Sequence, residues 1–160
     1  MADLQPCARG LTLPSSGPAF GGPLKSNVRR QMNIRSILPE EFESARVLLS
    51  ACGWTKKIED PEVFAASIRA SQVALVAEVG GQIVGFLRAI TDGIFNGYIS
   101  MVAVAPDRQG TGIGKALVNA ALGTNPNITW VLRADRTGVQ GFYTSLGFEQ
   151  STVAMERRRR

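Results

Sequence analysis

The fold of this chain is decided by one glycine-rich turn, Gln109-Gly110-Thr111-Gly112-Ile113-Gly114-Lys115. An apolar run that ends at Val104 precedes it and predicts a strand, and apolar residues with helical spacing follow it up to Leu122. Closely spaced glycines leave backbone N–H groups unobstructed, and a helix N-terminus adds unpaired donors and a partial positive charge. The sequence therefore predicts an anion site that suits a pyrophosphate, with Lys115 as a further cation.

Two well-known phosphate motifs do not fit this turn. A dinucleotide fingerprint that starts at Gly110 requires glycine at position 115, where Lys115 stands. A P-loop that ends in Gly114-Lys115 requires glycine at 109 and Ser or Thr at 116, where Gln109 and Ala116 stand. Both classes of nucleotide-binding protein are therefore excluded.

Outward from the turn, strand and helix patterns alternate in the order βααβββαβαβ. The predicted strands are 33–38, 73–79, 82–91, 98–104, 128–133 and 148–155. The predicted helices are 39–51, 61–70, 112–122 and 138–146. Gly80-Gly81 predicts a hairpin between the second and third strands, and Asp60 is the expected N-cap of the second helix.

Composition excludes several classes of site. The chain has 160 residues, the size of one domain, and no apolar stretch long enough for a membrane span. Histidine is absent, which excludes Ser-His-Asp and Cys-His catalysis and every His-ligated zinc site. Cys7 and Cys52 are too few for a disulfide framework or a Cys-rich metal site, so we expect no metal and two reduced thiols in a cytoplasmic protein.

The net charge of +5 belongs to the two ends of the chain. Residues 1–31 carry four basic residues and one acid, and Arg157–Arg160 are all basic. The part between them, 32–156, has ten basic and twelve acidic residues. This distribution argues against a nucleic-acid partner and is compatible with a cationic substrate. We expect a flexible Gly/Pro-rich extension over 1–31, one domain over 32–156, and a basic tail over 157–160.

Several segments together resemble a known family. Gln109–Gly114 matches the Gln/Arg-x-x-Gly-x-Gly/Ala signature of the GNAT acetyltransferase superfamily, Val102–Pro106 resembles its fourth strand, and Gly141–Glu149 resembles its Phe-Tyr-x-x-x-Gly-Phe segment. Arg88–Asn96 resembles a branch that includes the plastid serotonin-type N-acetyltransferases and their bacterial relatives. The resemblance covers about 33–155. It implies an α/β (α+β) fold, with a mixed, mostly antiparallel central sheet that is flanked by helices and contains a splayed strand pair.

The resemblance also implies acetyl-CoA as co-substrate and an amine as acceptor. The pantetheine arm is expected along the backbone of the fourth strand and the pyrophosphate on the turn. The expected cofactor-binding residues are Val102, Ala103, Val104, Gln109, Gly110, Thr111, Gly112, Ile113, Gly114 and Lys115. The amide of Val104 or its neighbour is the expected oxyanion donor, and Tyr143 the expected acid for the departing thiolate.

The general base is the least defined part of the expected site. Many relatives have an acid on the fourth strand, where this chain has Ser100 and Met101. Asp92 and Asp135 remain as candidates that act through water, and exposed turn carboxylates are the alternative for both.

The acceptor pocket is expected from the loop between the first two helices and the Asp92–Gly97 turn. Trp54 and Phe95 are candidates to stack on a ring, with ordinary packing as the alternative, and Asp92 and Asp135 are candidate substrate-binding carboxylates. A primary amine of a small molecule is the favoured acceptor. The alternatives are an aminoglycoside, a protein N-terminus or lysine, and a non-catalytic acetyl-CoA-binding module, and the protein is expected to be a monomer or homodimer.

Overall fold

The computed structural model describes residues 32–134 and 138–157. Three expectations fall outside this part of the chain: the N-terminal extension, the candidate Asp135, and the basic tail beyond Arg157. None of the helices within it is long and apolar enough to cross a lipid bilayer.

Five strands form one sheet in the order of the sequence. They are β1 (Met32–Ser36), β2 (Val73–Val79), β3 (Gln82–Thr91), β4 (Asn96–Val104) and β5 (Thr129–Leu132). The helices are α1 (Phe42–Ala51), α2 (Pro61–Arg69), α3 (Ile113–Leu122) and α4 (Val139–Thr144). All neighbouring strands are antiparallel except β4 and β5, which run parallel. The expected fold class is confirmed.

The sheet separates two apolar cores. Alternate residues of each strand point to opposite faces, so Phe86 and Ala103 pack under α1 and α2, whereas Leu87 and Val104 pack under α3. The predicted cap of α2 is confirmed: Asp60 Oδ1 accepts the second and third amides of that helix at 2.8 and 3.1 Å.

β4 carries one residue more than β3 over the length of their pairing. Arg88 lies opposite Met101, whereas the next residue, Ala89, lies opposite Ile99. Ser100 therefore has no partner of its own and forms a β-bulge. The bulge changes the side-chain alternation. Ile99 therefore packs on the α3 side of the sheet, together with Val102 and Val104.

Close packing fixes the joint between β4 and β5. Gly97 lies opposite Trp130, and a Cβ added to Gly97 would lie 2.3 Å from the indole ring. Only glycine allows this approach of the ring to the backbone. The joint therefore holds the two strands together at the start of β4.

The last predicted strand, 148–155, is not formed. Ser151 Oγ accepts the amides of Val153 and Ala154 at 3.3 and 3.1 Å, which closes a local turn. Val153 and Met155 are 88% and 99% exposed, and Phe148 is the only residue of this segment that packs against the core. A serine turn and the lack of burial oppose strand formation here.

Candidate functional site

The expected splayed strand pair is present. β5 pairs with β4 only from Asn96 to Ile99, and from Ser100 to Val104 no described strand faces that edge of β4. The amide of Ala105 donates to the carbonyl of Val84 on β3 at 2.8 Å. Because successive amides of a strand point to opposite edges, the N–H groups of Val104 and Val102 point to the open edge.

The glycine-rich turn lies at the end of this open edge. Gly110 and Gly112 have φ angles of +74° and +88°, a region that side chains other than glycine rarely adopt. Gly112 is the N-cap of α3, so the first amides of that helix point into the turn. Nothing lies within 4 Å of a Cβ built on Gly112, so the space beside it is open.

One cleft of about 450 Å³ joins the open edge to the turn. Its lining residues are Val102, Val104, Arg108, Gln109, Gly110, Gly112, Ile113, Gly114, Lys115, Gly138, Val139, Phe142 and Ser145. Eight of the ten expected cofactor-binding residues are thus brought together. Ala103 is buried on the opposite face of the sheet, and Thr111 is exposed, with its hydroxyl donating to the carbonyl of Arg108.

The lining residues that the sequence did not predict come from two places. Arg108 directly precedes the turn, and its basic side chain next to an expected anion site could have indicated it as a lining residue. The others lie at the start of α4 and on its cleft-facing side, and Phe142 belongs to the Phe-Tyr motif already quoted. Their position beside the turn depends on how α4 packs, which the spacing of residues does not reveal.

The electrostatics of the cleft favour an anion. Arg108 and Lys115 line it, and no acidic residue is among its described lining residues. The aligned amides of α3 add a partial positive charge at the same end. A pyrophosphate group therefore fits the turn in charge and in hydrogen-bonding capacity.

Tyr143 neighbours Phe142 of the cleft wall but is not itself among the described lining residues. It is 3% exposed, and its ring lies edge-on to Phe142 and Phe148 with centroids 4.9 and 5.7 Å apart. Burial raises the pKa of Tyr143 to about 12. The hydroxyl therefore keeps its proton at neutral pH, and it is a weaker acid than the hydroxyl of an exposed tyrosine.

The carboxylate of Asp92 accepts hydrogen bonds from the backbone of its own turn. Its Oδ1 accepts the backbone amides of Ile94, Phe95 and Asn96 at 2.8–2.9 Å. These hydrogen bonds, that of Asn96 first, lower the pKa of Asp92 to about 2. So weak a base takes a proton poorly at neutral pH, and this geometry favours the turn-carboxylate alternative.

The two candidate aromatic residues have different surroundings. Trp54 is 1% exposed in the core beneath α1 and α2, which favours the packing alternative. Phe95 is 65% exposed at the tip of the β3–β4 turn and accessible to a ligand. Ser100 and Met101 of β4 are both buried, and the hydroxyl of Ser100 accepts a hydrogen bond from Arg88.

Comparisons with known proteins agree with this geometry. A family model described as an acetyltransferase (GNAT) domain matches residues 70–150. An acetyltransferase of Yersinia pestis (strain Pestoides F) is 31% identical over an alignment of 136 positions, and the match covers 79% of this chain and 95% of the relative.

Solved structures give the same result. A GNAT family acetyltransferase of Streptococcus pneumoniae TIGR4 superposes with a TM-score of 0.60 at 26% identity, over 80% of this chain and 98% of that chain. A GNAT family acetyltransferase of Brucella melitensis, solved in complex with acetyl-CoA, superposes with a TM-score of 0.54 at 25% identity. This match covers 71% of this chain and 82% of that chain.

The family match spans the parts that form the cleft. It includes β4 with its open edge, the turn at 109–115, and the Phe-Tyr motif of α4. With a family model over half of the chain, a relative that is 31% identical and matched over 95% of its length, and a cleft suited to acetyl-CoA, the chain belongs to the GNAT acetyltransferase family and is an acyltransferase with acetyl-CoA as its co-substrate.

Proposed function

We propose that this enzyme transfers the acetyl group of acetyl-CoA to a primary amine of a small molecule by direct attack of the amine. The single observation that carries the proposal is the cleft in which the open edge of β4 continues into the glycine-rich turn. The resemblance of Arg88–Asn96 to serotonin-type N-acetyltransferases supports a small amine as acceptor. The low cysteine content supports a cytoplasmic location.

The proposed cofactor contacts follow the length of the cleft. The amides of the turn and of the first turn of α3 hold the pyrophosphate, and Lys115 and Arg108 neutralise part of its charge. The N–H groups of Val102 and Val104 bind the pantetheine arm in the manner of a missing sheet neighbour.

Acetyl-CoA supplies the acetyl group as an activated thioester. The chain supplies a hydrogen-bond donor where negative charge develops on the thioester oxygen, and the amide of Val104 or Val102 has the required direction. Tyr143 is the proposed donor of the proton that the departing thiolate takes up. Its high pKa keeps it protonated before the reaction, and the adjacent ring of Phe142 lies in the cleft wall.

The attacking amine must first lose a proton. No carboxylate is among the described lining residues of the cleft, so we propose that water removes this proton, with Asp135 as the other candidate that the sequence offers. Asp92 is a weaker candidate because of its low pKa and its place in the turn.

A thiol-release assay tests the proposed function. The full chain is mixed with acetyl-CoA and, in turn, with an arylalkylamine, a polyamine, an aminoglycoside and a peptide. We expect free thiol and acetylated product in equal amounts with a small amine. Turnover only with the peptide would show a protein acetyltransferase, and binding of acetyl-CoA without turnover would show a non-catalytic module.

A further inference from the structure

The guanidinium group of Arg88 pairs with no acid in the part of the chain that the structure describes. Its Nε donates to the carbonyl of Ser67 on α2 and its Nη1 donates to the hydroxyl of Ser100 on β4, both at 3.0 Å. No carboxylate of the described residues forms an ion pair with it. The arginines that do pair with a carboxylate are Arg35, Arg46, Arg69, Arg108 and Arg133.

This charge is also partly removed from water. Arg88 is half-buried between α2 and the sheet, and this burial lowers its pKa. Of its five N–H donors, two have acceptors within the described chain. An anion that binds beside this cation would accept hydrogen bonds from the remaining N–H groups and compensate for the lost hydration of the charge.

Arg88 lies where the two strands begin to separate. Its partner Ser100 is the bulge residue, and the pairing of β4 with β5 ends one residue earlier, at Ile99. Two residues of strand, about 7 Å, separate Ser100 from Val102 in the cleft wall. The cleft lies on the α3 side of the sheet, whereas the side chain of Arg88 lies on the opposite side, against α2.

An apolar surface adjoins Arg88 on the same face of the sheet. Ile90 lies opposite Tyr98, and Tyr98 lies opposite Val131, so the three side chains form a row across β3, β4 and β5. Ile90 and Val131 are 42% and 44% exposed. Tyr98 lies near Arg88. We call this row the apolar shelf.

We propose that Arg88 binds an anionic group of the acceptor, a carboxylate or a phosphate, while the apolar part of the acceptor lies on the apolar shelf. This inference rests on the proposed transfer to a small amine, and it places the acceptor on the face of the sheet opposite the cofactor cleft. It predicts discrimination against polycations such as aminoglycosides, since Arg88 would repel them.

Matched acceptors test the proposal. Phenylalanine, phenylalaninamide and phenethylamine share a ring and an amine and differ in the carboxylate, and O-phosphoethanolamine and ethanolamine form the phosphate pair. For each compound we would measure kcat/KM with acetyl-CoA, and the Kd by calorimetry on protein saturated with CoA. The proteins are the parent, Arg88→Gln, and the control Arg69→Gln, which removes an exposed charge of α2.

We expect the parent to prefer an anionic acceptor over its neutral counterpart by at least about tenfold, as a charge-assisted hydrogen bond implies. Arg88→Gln should lose this preference and Arg69→Gln should keep it. If amines are acetylated with the same preference in the parent and in Arg88→Gln, the role of Arg88 is overturned and the proposed function stands.

The binding measurement separates the two proposals when no compound is acetylated. Arg88-dependent binding of an anionic compound would then support the anion site and reject the proposed function, whereas no binding would reject both. If Arg88→Gln does not fold, Arg88→Lys is measured instead. Lysine keeps the charge but lacks the planar guanidinium group with its several N–H donors. We therefore expect a reduced preference for anionic acceptors, and an unchanged preference would contradict the proposal.

Discussion

The side-chain amide of Gln109 donates a hydrogen bond to the carbonyl of Val104 across 3.2 Å. This contact ties the glycine-rich turn to the end of the open strand edge, so the two halves of the cofactor cleft are held in one geometry. The thiol of Cys52 approaches the same carbonyl from the other side at 3.3 Å.

Replacing Gln109 by Glu should weaken acetyl-CoA binding. The carboxylate cannot donate to the Val104 carbonyl, and it adds a negative charge beside the proposed pyrophosphate site. We expect the calorimetric Kd for acetyl-CoA to rise at least about tenfold, about 1.4 kcal/mol. Gln109→Met is the neutral comparison and should show a smaller loss of acetyl-CoA affinity. Equal losses in the two variants would assign the effect to the missing hydrogen bond with Val104 alone.

A negatively charged side chain at Gly112 should weaken acetyl-CoA binding more than a neutral side chain of the same shape. Asp and Asn both tolerate a positive φ better than other side chains, so Gly112→Asp and Gly112→Asn impose similar backbone strain. We expect Gly112→Asp to bind acetyl-CoA at least about tenfold more weakly than Gly112→Asn.

Gly81→Asp is the matched control for this pair of variants. Gly81 also has a positive φ and open space beside it, but it lies in the β2–β3 hairpin. Its acetyl-CoA affinity should stay at the parent value. Equal binding by the two Gly112 variants would refute a pyrophosphate at this turn.

Removing the hydroxyl of Tyr143 tests the proposed acid. Tyr143→Phe keeps the ring that packs between Phe142 and Phe148, so the folded state and acetyl-CoA binding should be preserved. General acid catalysis contributes about 10²–10⁴-fold, and kcat should fall by this order. A variant as fast as the parent would assign the proton to water or another group.

Asp92→Asn tests whether this carboxylate supports the turn or the reaction. The folded-state pKa of about 2 lies below the unfolded value of about 3.9, so ionised Asp92 stabilises the fold above pH 4 and this contribution is lost as the pH falls toward 2. We expect the parent to melt at a higher temperature than Asp92→Asn at pH 7, and the gap to narrow on acidification. Activity at pH 7 should stay within about threefold, and a loss of about 10²-fold without a stability change would identify a base.

A chain shortened to begin at Met32 tests the proposed extension. Met32 is the first residue of β1, whose pairing with β2 starts at this position. We expect the shortened chain to retain the melting temperature and the acetyl-CoA affinity of the full chain. A clear loss of either would show that residues 1–31 contribute to the domain.

The periodic segments of this fold could be predicted from the sequence, and the departures from periodicity could not. β2, β3 and the cap at Asp60 were predicted because their signals are local. The bulge at Ser100 was not, because it is determined by which residues of β3 and β4 face each other. The strand predicted over 148–155 has a strand-like composition, but it finds no described partner and Ser151 closes a turn within it.

The site shows the same division. The turn and the open edge follow from glycine spacing and the family resemblance. The burial of Trp54 and the three amides bound by Asp92 depend on tertiary packing and loop conformation, which residue type alone does not determine. Arg88 is one arginine among several in the sequence, and only the structure shows that no acid of the described residues pairs with it.

The bulge at Ser100 also determines which genetic changes β4 tolerates. Loss of the Ser100 codon would remove the extra residue and leave Ile99 opposite Ala89 and Met101 opposite Arg88, so both halves of the strand would keep their faces. Loss of the Ala103 codon would instead turn Val102 or Val104 away from the cleft wall. Among descendants of this gene, we therefore expect a codon lost from β4 to be lost at the bulge and not within the cleft wall.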